Sequence, residues 1–196
     1  MIVTTQILKK QLQDYKNILD KIKRDVDNRK LFRLNRGLYE TDSKIEPFLL
    51  SGPILSPSYL SFEWALSYYG LIPERVVAIT AASLGQRKNK CFTNYFGRFT
   101  YTDIPESAFS EGLTYINVND RYAMIATKEK AICDSLAKWP KVNNLKELKE
   151  LLFTDKRIDE DEFERCNFNL MLNLAKNYKK TNLMLLAKLI KRDYLK

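Results

Sequence analysis

Apolar residues near the start of the chain recur every three or four positions, the spacing that places side chains on one face of an α-helix. The pattern predicts two amphipathic helices, over residues 1–15 and 17–29. The residues that set the spacing are Ile7, Leu8 and Leu12 in the first helix, and Ile18, Leu19, Ile22 and Val26 in the second.

The pattern then changes to that of a short hairpin, over Leu31–Asp42. Gly37 lies between its two arms and can adopt the positive φ angle that a tight turn requires. Two helices followed by a basic hairpin favour a winged-helix-like unit over residues 1–44.

Residues 43–56 contain several proline and glycine residues and are predicted to be a linker. A helix is expected to begin next, with Ser56 as its N-cap and Pro57 in the first helical position. Gly70 is expected to end this helix. Within it, the helical spacing of Trp64, Tyr68 and Tyr69 favours packing in the core over a stacking platform for bases.

Runs of β-branched and aromatic residues follow, and helical periodicity then returns to the end of the chain. The predicted strands are Val76–Ala81, Cys91–Phe96, Phe99–Thr102, Tyr115–Val118 and Tyr122–Ala126. The predicted helices are one capped by Thr127 and three over residues 144–153, 158–178 and 181–195. The predicted fold class is therefore α+β: the winged-helix-like unit is followed by a mixed α/β domain, residues 45–196, with a helical C-terminal tail.

The net charge of +9 is concentrated at the two ends of the chain. Residues 1–44 carry a net charge of +5, residues 45–166 carry −2, and residues 167–196 carry +6. Segregated positive charge is typical of proteins that bind nucleic acid, because phosphate contacts dominate that affinity. A lysine-rich surface that is simply solvated would show the same totals.

Basic residues of the second helix and of the hairpin are the candidate DNA contacts, because such side chains can reach phosphates or a groove. The predicted DNA-binding residues are Lys21, Lys23, Arg24, Lys30, Arg33 and Arg36. Acidic residues on the same helix dilute its field, so solvated lysines remain the alternative for the helix. The C-terminal lysines could contact a second stretch of phosphates or an acidic protein surface.

The residues needed for common catalytic and metal sites are missing from the sequence. It contains no histidine, which excludes triads with a histidine base and the commonest zinc ligand sets. No glycine-rich phosphate loop is present. Its three cysteines lie far apart in the sequence, which does not suggest a disulfide framework or a zinc ribbon, so reduced thiols, most of them in the core, are expected. We therefore expect no catalytic residue, no metal and no cofactor, and a protein that is not an enzyme.

Two acidic features could be taken for sites but have simpler explanations. The acidic run at residues 159–162 is consistent with the N-terminus of a helix, where acids favour the macrodipole. Glu129 and Asp134 are five positions apart on a helix and point in different directions, so a structural role is expected for each. Glu129 and Lys130 could form a pair that faces a ligand, but an acid at the helix start beside a solvated lysine is the simpler explanation, so Lys130 is expected to be solvated. The inward face of this helix is predicted to be Ala131, Ile132, Ser135 and Trp139.

No stretch is long and apolar enough to cross a bilayer, and the N-terminus does not have the pattern of a signal peptide. A cytoplasmic protein without a membrane partner is expected.

Three stretches, in this order, resemble the AbiEi-type antitoxins of bacterial abortive-infection systems and related transcriptional regulators. They are LFRLNRGLYE at residues 31–40, YLSFEWALSYYGLIPE at residues 59–74 and ATKEKAICDSLAKW at residues 126–139. FGRFTYTDIPESAF and YAMIA fall where that family has its β-rich segment, so the resemblance covers roughly residues 30–140.

The resemblance implies an N-terminal module that binds double-stranded DNA at its own promoter, and a C-terminal region that counters a nucleotidyltransferase-like toxin. Direct contact with that toxin does not follow from the resemblance. The implied role is that of an antitoxin and autorepressor in phage defence. The alternatives are a DNA- or RNA-binding regulator without a toxin partner and, third, a nucleotide-processing enzyme.

Overall fold

The structure is a computed structural model that describes residues 1–195. It is a mixed α+β protein that contains two β-sheets and a helical C-terminal segment, which confirms the predicted fold class. Assignment of the N-terminal unit to the winged-helix class stays a prediction.

The N-terminal unit consists of a three-stranded antiparallel sheet and two helices. In chain order its elements are β1 (Ile2–Thr4), α1 (Thr5–Gln11), α2 (Ile18–Asp27), β2 (Phe32–Asn35) and β3 (Leu38–Glu40). The strand order is β1-β3-β2. The unit has a small apolar core of its own, formed by Val3, Leu8, Ile22, Leu31 and Tyr39.

The predicted helix over residues 1–15 is wrong at both ends. Ile2, Val3 and Thr4 pair with β3 as a strand, and the Thr4 side chain then caps α1 by accepting a hydrogen bond from Ile7 N. Pairing with a strand more than thirty residues away competes successfully with the local helical preference, because β3 needs a partner on that edge.

Residues 43–56 are not a linker. They contain a 3₁₀-helix, Pro47–Leu50, followed directly by the short helix α3, Ser51–Ile54. Leu49, Leu50 and Ile54 are buried in the main core. The proline and glycine content indicated irregular backbone correctly, but the apolar residues between them bring this segment inside the protein.

The helix expected to begin at Ser56-Pro57, with Pro57 as its first residue, begins five residues later, at Phe62. Ser58–Leu60 forms a strand, β4, and the helix α4 covers Phe62–Tyr68. Strand β4 pairs with neighbours on both sides, so its backbone groups are satisfied by the sheet and the local Ser-Pro signal does not decide the structure.

The second sheet has six strands in the order β6-β7-β5-β4-β9-β8. The strands other than β4 are β5 (Ile79–Ser83), β6 (Lys90–Asn94), β7 (Gly97–Asp103), β8 (Leu113–Val118) and β9 (Arg121–Ala126). β6–β7 and β8–β9 are antiparallel hairpins, and β5 pairs in parallel with β7. Each predicted strand overlaps one of these, with ends shifted by up to three residues.

The remaining helices all follow β7 in the chain. They are α5 (Glu106–Phe109), α6 (Lys128–Lys138), α7 (Leu145–Lys149), α8 (Glu160–Glu164), α9 (Phe168–Lys176) and α10 (Thr181–Asp193). A π-helical turn, Glu150–Asp155, extends α7. The helix predicted over residues 158–178 is two helices, because the Asn167 side chain accepts a hydrogen bond from Leu170 N and starts α9 anew.

α6 is the central helix of the larger sheet-and-helix body. Thr127 caps it as predicted, and it contacts α4, α9, α10 and β9. The predicted inward face is buried, but so are all the residues from Glu129 to Leu136. A helix packed on every side must satisfy its polar side chains internally.

Candidate nucleic-acid interface

The basic side chains of α2 differ in their exposure to solvent and in their contacts with neighbouring groups. Lys23 and Arg24 are exposed, and the Arg24 Nε atom donates a hydrogen bond to Asp20 O at 3.4 Å. Lys21 is partly buried: its Nζ atom lies 2.5 Å from Asp25 Oδ1 and 5.5 Å from the centroid of the Tyr15 ring. Two of these three predicted DNA contacts are therefore available to a ligand, while Lys21 is engaged by its own helix.

The hairpin β2–β3 presents its arginines to solvent. Arg33 and Arg36 are both exposed, and so is Lys30 just before the hairpin. Gly37 has a φ of +80°, and a Cβ atom there would lie 3.3 Å from Thr5 Oγ1. Because Thr5 N also donates a hydrogen bond to Gly37 O at 2.9 Å, the turn is tied to the first residue of α1.

The hairpin also packs against the edge of the six-stranded sheet. The side-chain amide of Asn94 donates to Leu34 O at 3.1 Å, and Asn35 donates to Ile54 O at 2.8 Å. The ring of Phe32 lies 4.5 Å, centroid to centroid, from that of Tyr95. The predicted contact residues of the hairpin are thus held on a rigid support, which favours precise contacts with a partner.

A second set of polar residues is completely buried around α6. This buried polar cluster consists of Tyr59, Ser61, Lys130, Asp134 and Tyr178. The carboxylate of Asp134 accepts hydrogen bonds at 3.0 Å from Tyr59, 2.6 Å from Ser61 and 2.6 Å from Tyr178. The Lys130 ammonium lies 3.3 Å from the same carboxylate and donates to the Tyr178 hydroxyl at 2.5 Å.

Burial dominates the ionisation of this cluster. It lowers the pKa of Lys130, and the negative charge of Asp134 partly offsets that effect. It raises the pKa of Tyr59 and of Tyr178, and the Asp134 charge raises both further. The two phenols therefore stay protonated and donate to Asp134, which is how the side chains of a buried ion pair are satisfied.

The buried polar cluster corrects one sequence-based expectation and confirms another. Lys130 is not solvated: its side chain is 0% exposed, and it also donates to Ala108 O. Glu129 does act separately from Asp134, because its carboxylate accepts a hydrogen bond from Asn167 N at 2.8 Å. Lys130 and Asp134 are four positions apart on one helix, and this spacing is the sequence signal that could have indicated the pair. Nothing in the sequence indicated Tyr178 as its partner.

A cleft of about 380 Å³ beside the cluster brings two carboxylates together, those of Asp103 and Asp134. Both are already occupied. Asp103 accepts hydrogen bonds from the backbone N–H groups of Gln86 and Arg87, and Asp134 accepts those described above. Each carboxylate is thus held in place by hydrogen bonds from its neighbours.

The other candidate features have structural explanations. The acidic run begins α8 as expected: Asp159 caps it, and Glu162 pairs with Lys128 at 2.5 Å. No group of three or more potential metal ligands occurs within residues 1–195.

The cysteines and the aromatic residues of α4 divide between core and surface. Cys133 and Cys166 are buried, and burial raises the pKa of the Cys166 thiol to about 12. Cys91 is exposed. The prediction that the aromatic residues of α4 pack in the core is wrong for Tyr68. Its side chain is 53% exposed and stacks on Trp64.

The C-terminal lysines border a groove of about 660 Å³ between α9 and α10. Its floor includes Leu172, Leu183 and Ala187, and Lys176 and Lys191 lie along it. No acidic residue lines this groove in the described part of the chain.

Among residues 1–195, no helix has the length and apolar character needed to cross a membrane. No known family model matches the chain, and no curated protein is significantly similar to it.

Proposed function

We propose that the protein is a DNA-binding transcriptional autorepressor and antitoxin of the AbiEi type. The observation that carries the DNA-binding half is the pair of exposed arginines, Arg33 and Arg36, on a hairpin that is fixed to a two-helix unit. Arginines on such a hairpin can reach the phosphate backbone or a minor groove.

The arrangement of the N-terminal unit supports this proposal. α1 and α2 are joined by a short turn and followed by a hairpin, so α2 would be the helix that enters the major groove and β2–β3 would be the wing. Lys23 and Arg24 are exposed on α2. Contacts from these residues would position the protein on the duplex, and Lys30 lies between the two elements.

The antitoxin half rests on the resemblance, and the structure bears on it through the location of the motifs. YLSFEWALSYYGLIPE supplies Tyr59 and Ser61, and ATKEKAICDSLAKW supplies Lys130 and Asp134. These four residues meet in the buried polar cluster. The two motifs therefore build one structural centre, which is a reason for them to occur together. The proposed functional partner is a nucleotidyltransferase-like toxin, and the proposed location is the cytoplasm.

The DNA-binding half is tested by fluorescence anisotropy with the promoter duplex and a scrambled duplex of equal length, across a salt titration. The wild type is expected to prefer the promoter and to weaken linearly with the logarithm of salt concentration. Arg33→Ala/Arg36→Ala is expected to lower the salt slope by about two and weaken binding to both duplexes.

The matched control is Arg75→Ala/Lys141→Ala, which removes the same charge from two exposed positions outside the N-terminal unit. It is expected to behave almost like the wild type. Equal, weak binding of all three proteins to both duplexes would show that the positive charge is only surface charge.

The antitoxin half is tested by co-expression with the product of the neighbouring gene. Growth arrest by that product alone, relieved by this protein, is the expected result. If the neighbouring gene is not toxic, or if the protein does not relieve the arrest while still binding its promoter, the protein is a regulator without a toxin partner.

A further inference from the structure

The hairpin arginines lie along a groove whose opposite wall is strand β6. Residues 33–36 form one wall of a groove of about 380 Å³, and residues 91–94 of β6 form the other. The hydrogen bond from Asn94 to Leu34 O joins the two walls. Because Arg33 and Arg36 are both lining residues, a ligand that contacts them also meets β6.

The strand register adds a third arginine to this place. Thr93 lines the groove and is directly opposite Arg98 on β7. Directly opposed residues of an antiparallel pair point to the same face, with Cβ atoms about 5 Å apart. Arg98 is exposed.

The charge around β6 and β7 differs from that of the region to which they belong. Residues 84–103 carry a net charge of +3, although residues 45–166 as a whole carry −2. Their one carboxylate, Asp103, is occupied by backbone N–H groups. Within the described residues, Arg98 has no carboxylate within ion-pairing distance, and no acidic residue lines the groove.

We infer that the β6–β7 hairpin is a second DNA-contacting element, in which Arg98 binds the duplex backbone next to Arg33 and Arg36. This inference rests on the proposed DNA-binding function and extends it to the domain after residue 44. One wall of the groove carries Arg33 and Arg36, Arg98 lies next to Thr93 of the other wall, and no acidic residue lines the groove in the described part of the chain, which suits a sugar–phosphate backbone. Phosphate contacts carry no sequence information directly, so the second element adds affinity and orientation.

The first test compares Arg98→Ala with the wild type, with Arg33→Ala/Arg36→Ala and with the single control Arg75→Ala at an exposed position, using the duplexes described above. The Arg98 variant is expected to lower the salt slope by about one. Its preference for promoter over scrambled duplex is expected to change little.

The possible outcomes separate this inference from the proposed function. A normal salt slope in the Arg98 variant, together with a reduced slope in the Arg33/Arg36 variant, would overturn the inference alone. A wild-type protein that binds neither duplex would overturn both. If the Arg98 variant loses binding to a single-stranded RNA of the promoter sequence but binds both duplexes as the wild type does, the surface binds RNA and the inference is contradicted.

Cys91 allows a second test that removes no charge. It lines the groove and is exposed, whereas Cys133 and Cys166 are buried, so a benzophenone maleimide will label Cys91 in the folded protein. Irradiation with the promoter duplex is expected to cross-link the labelled protein to DNA.

The control for cross-linking is Cys91→Ser/Glu164→Cys, which moves the label to an exposed position beside the acidic run of α8. That position repels phosphate, so no cross-link is expected. Cross-linking of the promoter by the α8 label and not by the Cys91 label would overturn the inference.

Discussion

In the N-terminal unit, charged side chains surround a small core and extend into water, whereas α6 holds a lysine and an aspartate in the interior. Lys23, Arg24 and the hairpin arginines are exposed. Lys130 and Asp134 are 0% exposed and are satisfied by each other, by two tyrosines and by a serine. The two regions thus use the same residue types for different purposes: one remains available to a partner, and the other orders the protein itself.

The difference teaches that charge alone does not indicate a site. A buried ion pair contributes little net stability compared with apolar residues of similar volume, but removing one partner leaves an uncompensated charge in the interior. An exposed charge contributes almost nothing to stability and can be lost without harm to the fold. Substitutions in the two regions should therefore separate folding from binding.

The largest effect is expected from Asp134→Ala. It leaves the Lys130 ammonium buried without its counter-charge, which should lower the free energy of unfolding by about 3–5 kcal/mol. Urea denaturation followed by circular dichroism measures this loss. The double variant Lys130→Met/Asp134→Leu removes both charges and should lose much less. If it is as unstable as the single variant, the cost is one of packing and not of an unpaired charge.

A smaller loss is expected from Tyr178→Phe. The variant keeps the ring but removes the hydroxyl that accepts from Lys130 and donates to Asp134, so two buried groups each lose a partner. The free energy of unfolding should fall by about 1–3 kcal/mol. Tyr68→Phe is the matched control: Tyr68 is 53% exposed, and its variant should stay within about 0.5 kcal/mol of the wild type. Equal stability of the two variants would show that the buried hydroxyl is dispensable.

The smallest effects concern α2, where Lys21 and Lys23 can be compared directly. Lys21→Ala removes an ion pair four positions along the helix and should cost about 0.3–0.5 kcal/mol of stability, with an unchanged salt slope for DNA binding. Lys23→Ala should leave stability unchanged and lower that slope by about one. The opposite pattern would mean that the Lys21 side chain leaves Asp25 to bind DNA, and that α2 does not act as proposed.

Local signals predicted much of the chain. The cap at Thr127, the hairpin turn at Gly37 and the alternation in Tyr122–Ala126 are each set by a few neighbouring residues, and the structure confirms all three elements. Where the prediction was wrong, distant residues decided. Ser58–Leu60 is a strand because β5 and β9 flank it, and residues 47–54 are buried because the core accepts their apolar side chains.

The candidate site also combines features that local sequence patterns predict with features that depend on distant residues. The arginines of the hairpin and the segregated charge can be read from the chain, because they depend on short separations and composition. Lys130 and Asp134 are also only four positions apart, but that spacing does not show that both side chains are buried, and Lys130 was expected to be solvated. The partners Tyr59 and Tyr178 lie 75 and 44 residues from Asp134, and β6 reaches the hairpin arginines across a separation of 60 residues between Leu34 and Asn94.

The sequence by itself determined which elements are amphipathic and where positive charge accumulates, since periodicity and composition act over a few residues. Only the tertiary structure decided which charges are buried and which are exposed. The cost of desolvating an ion depends on everything packed around it, and no local pattern contains that information.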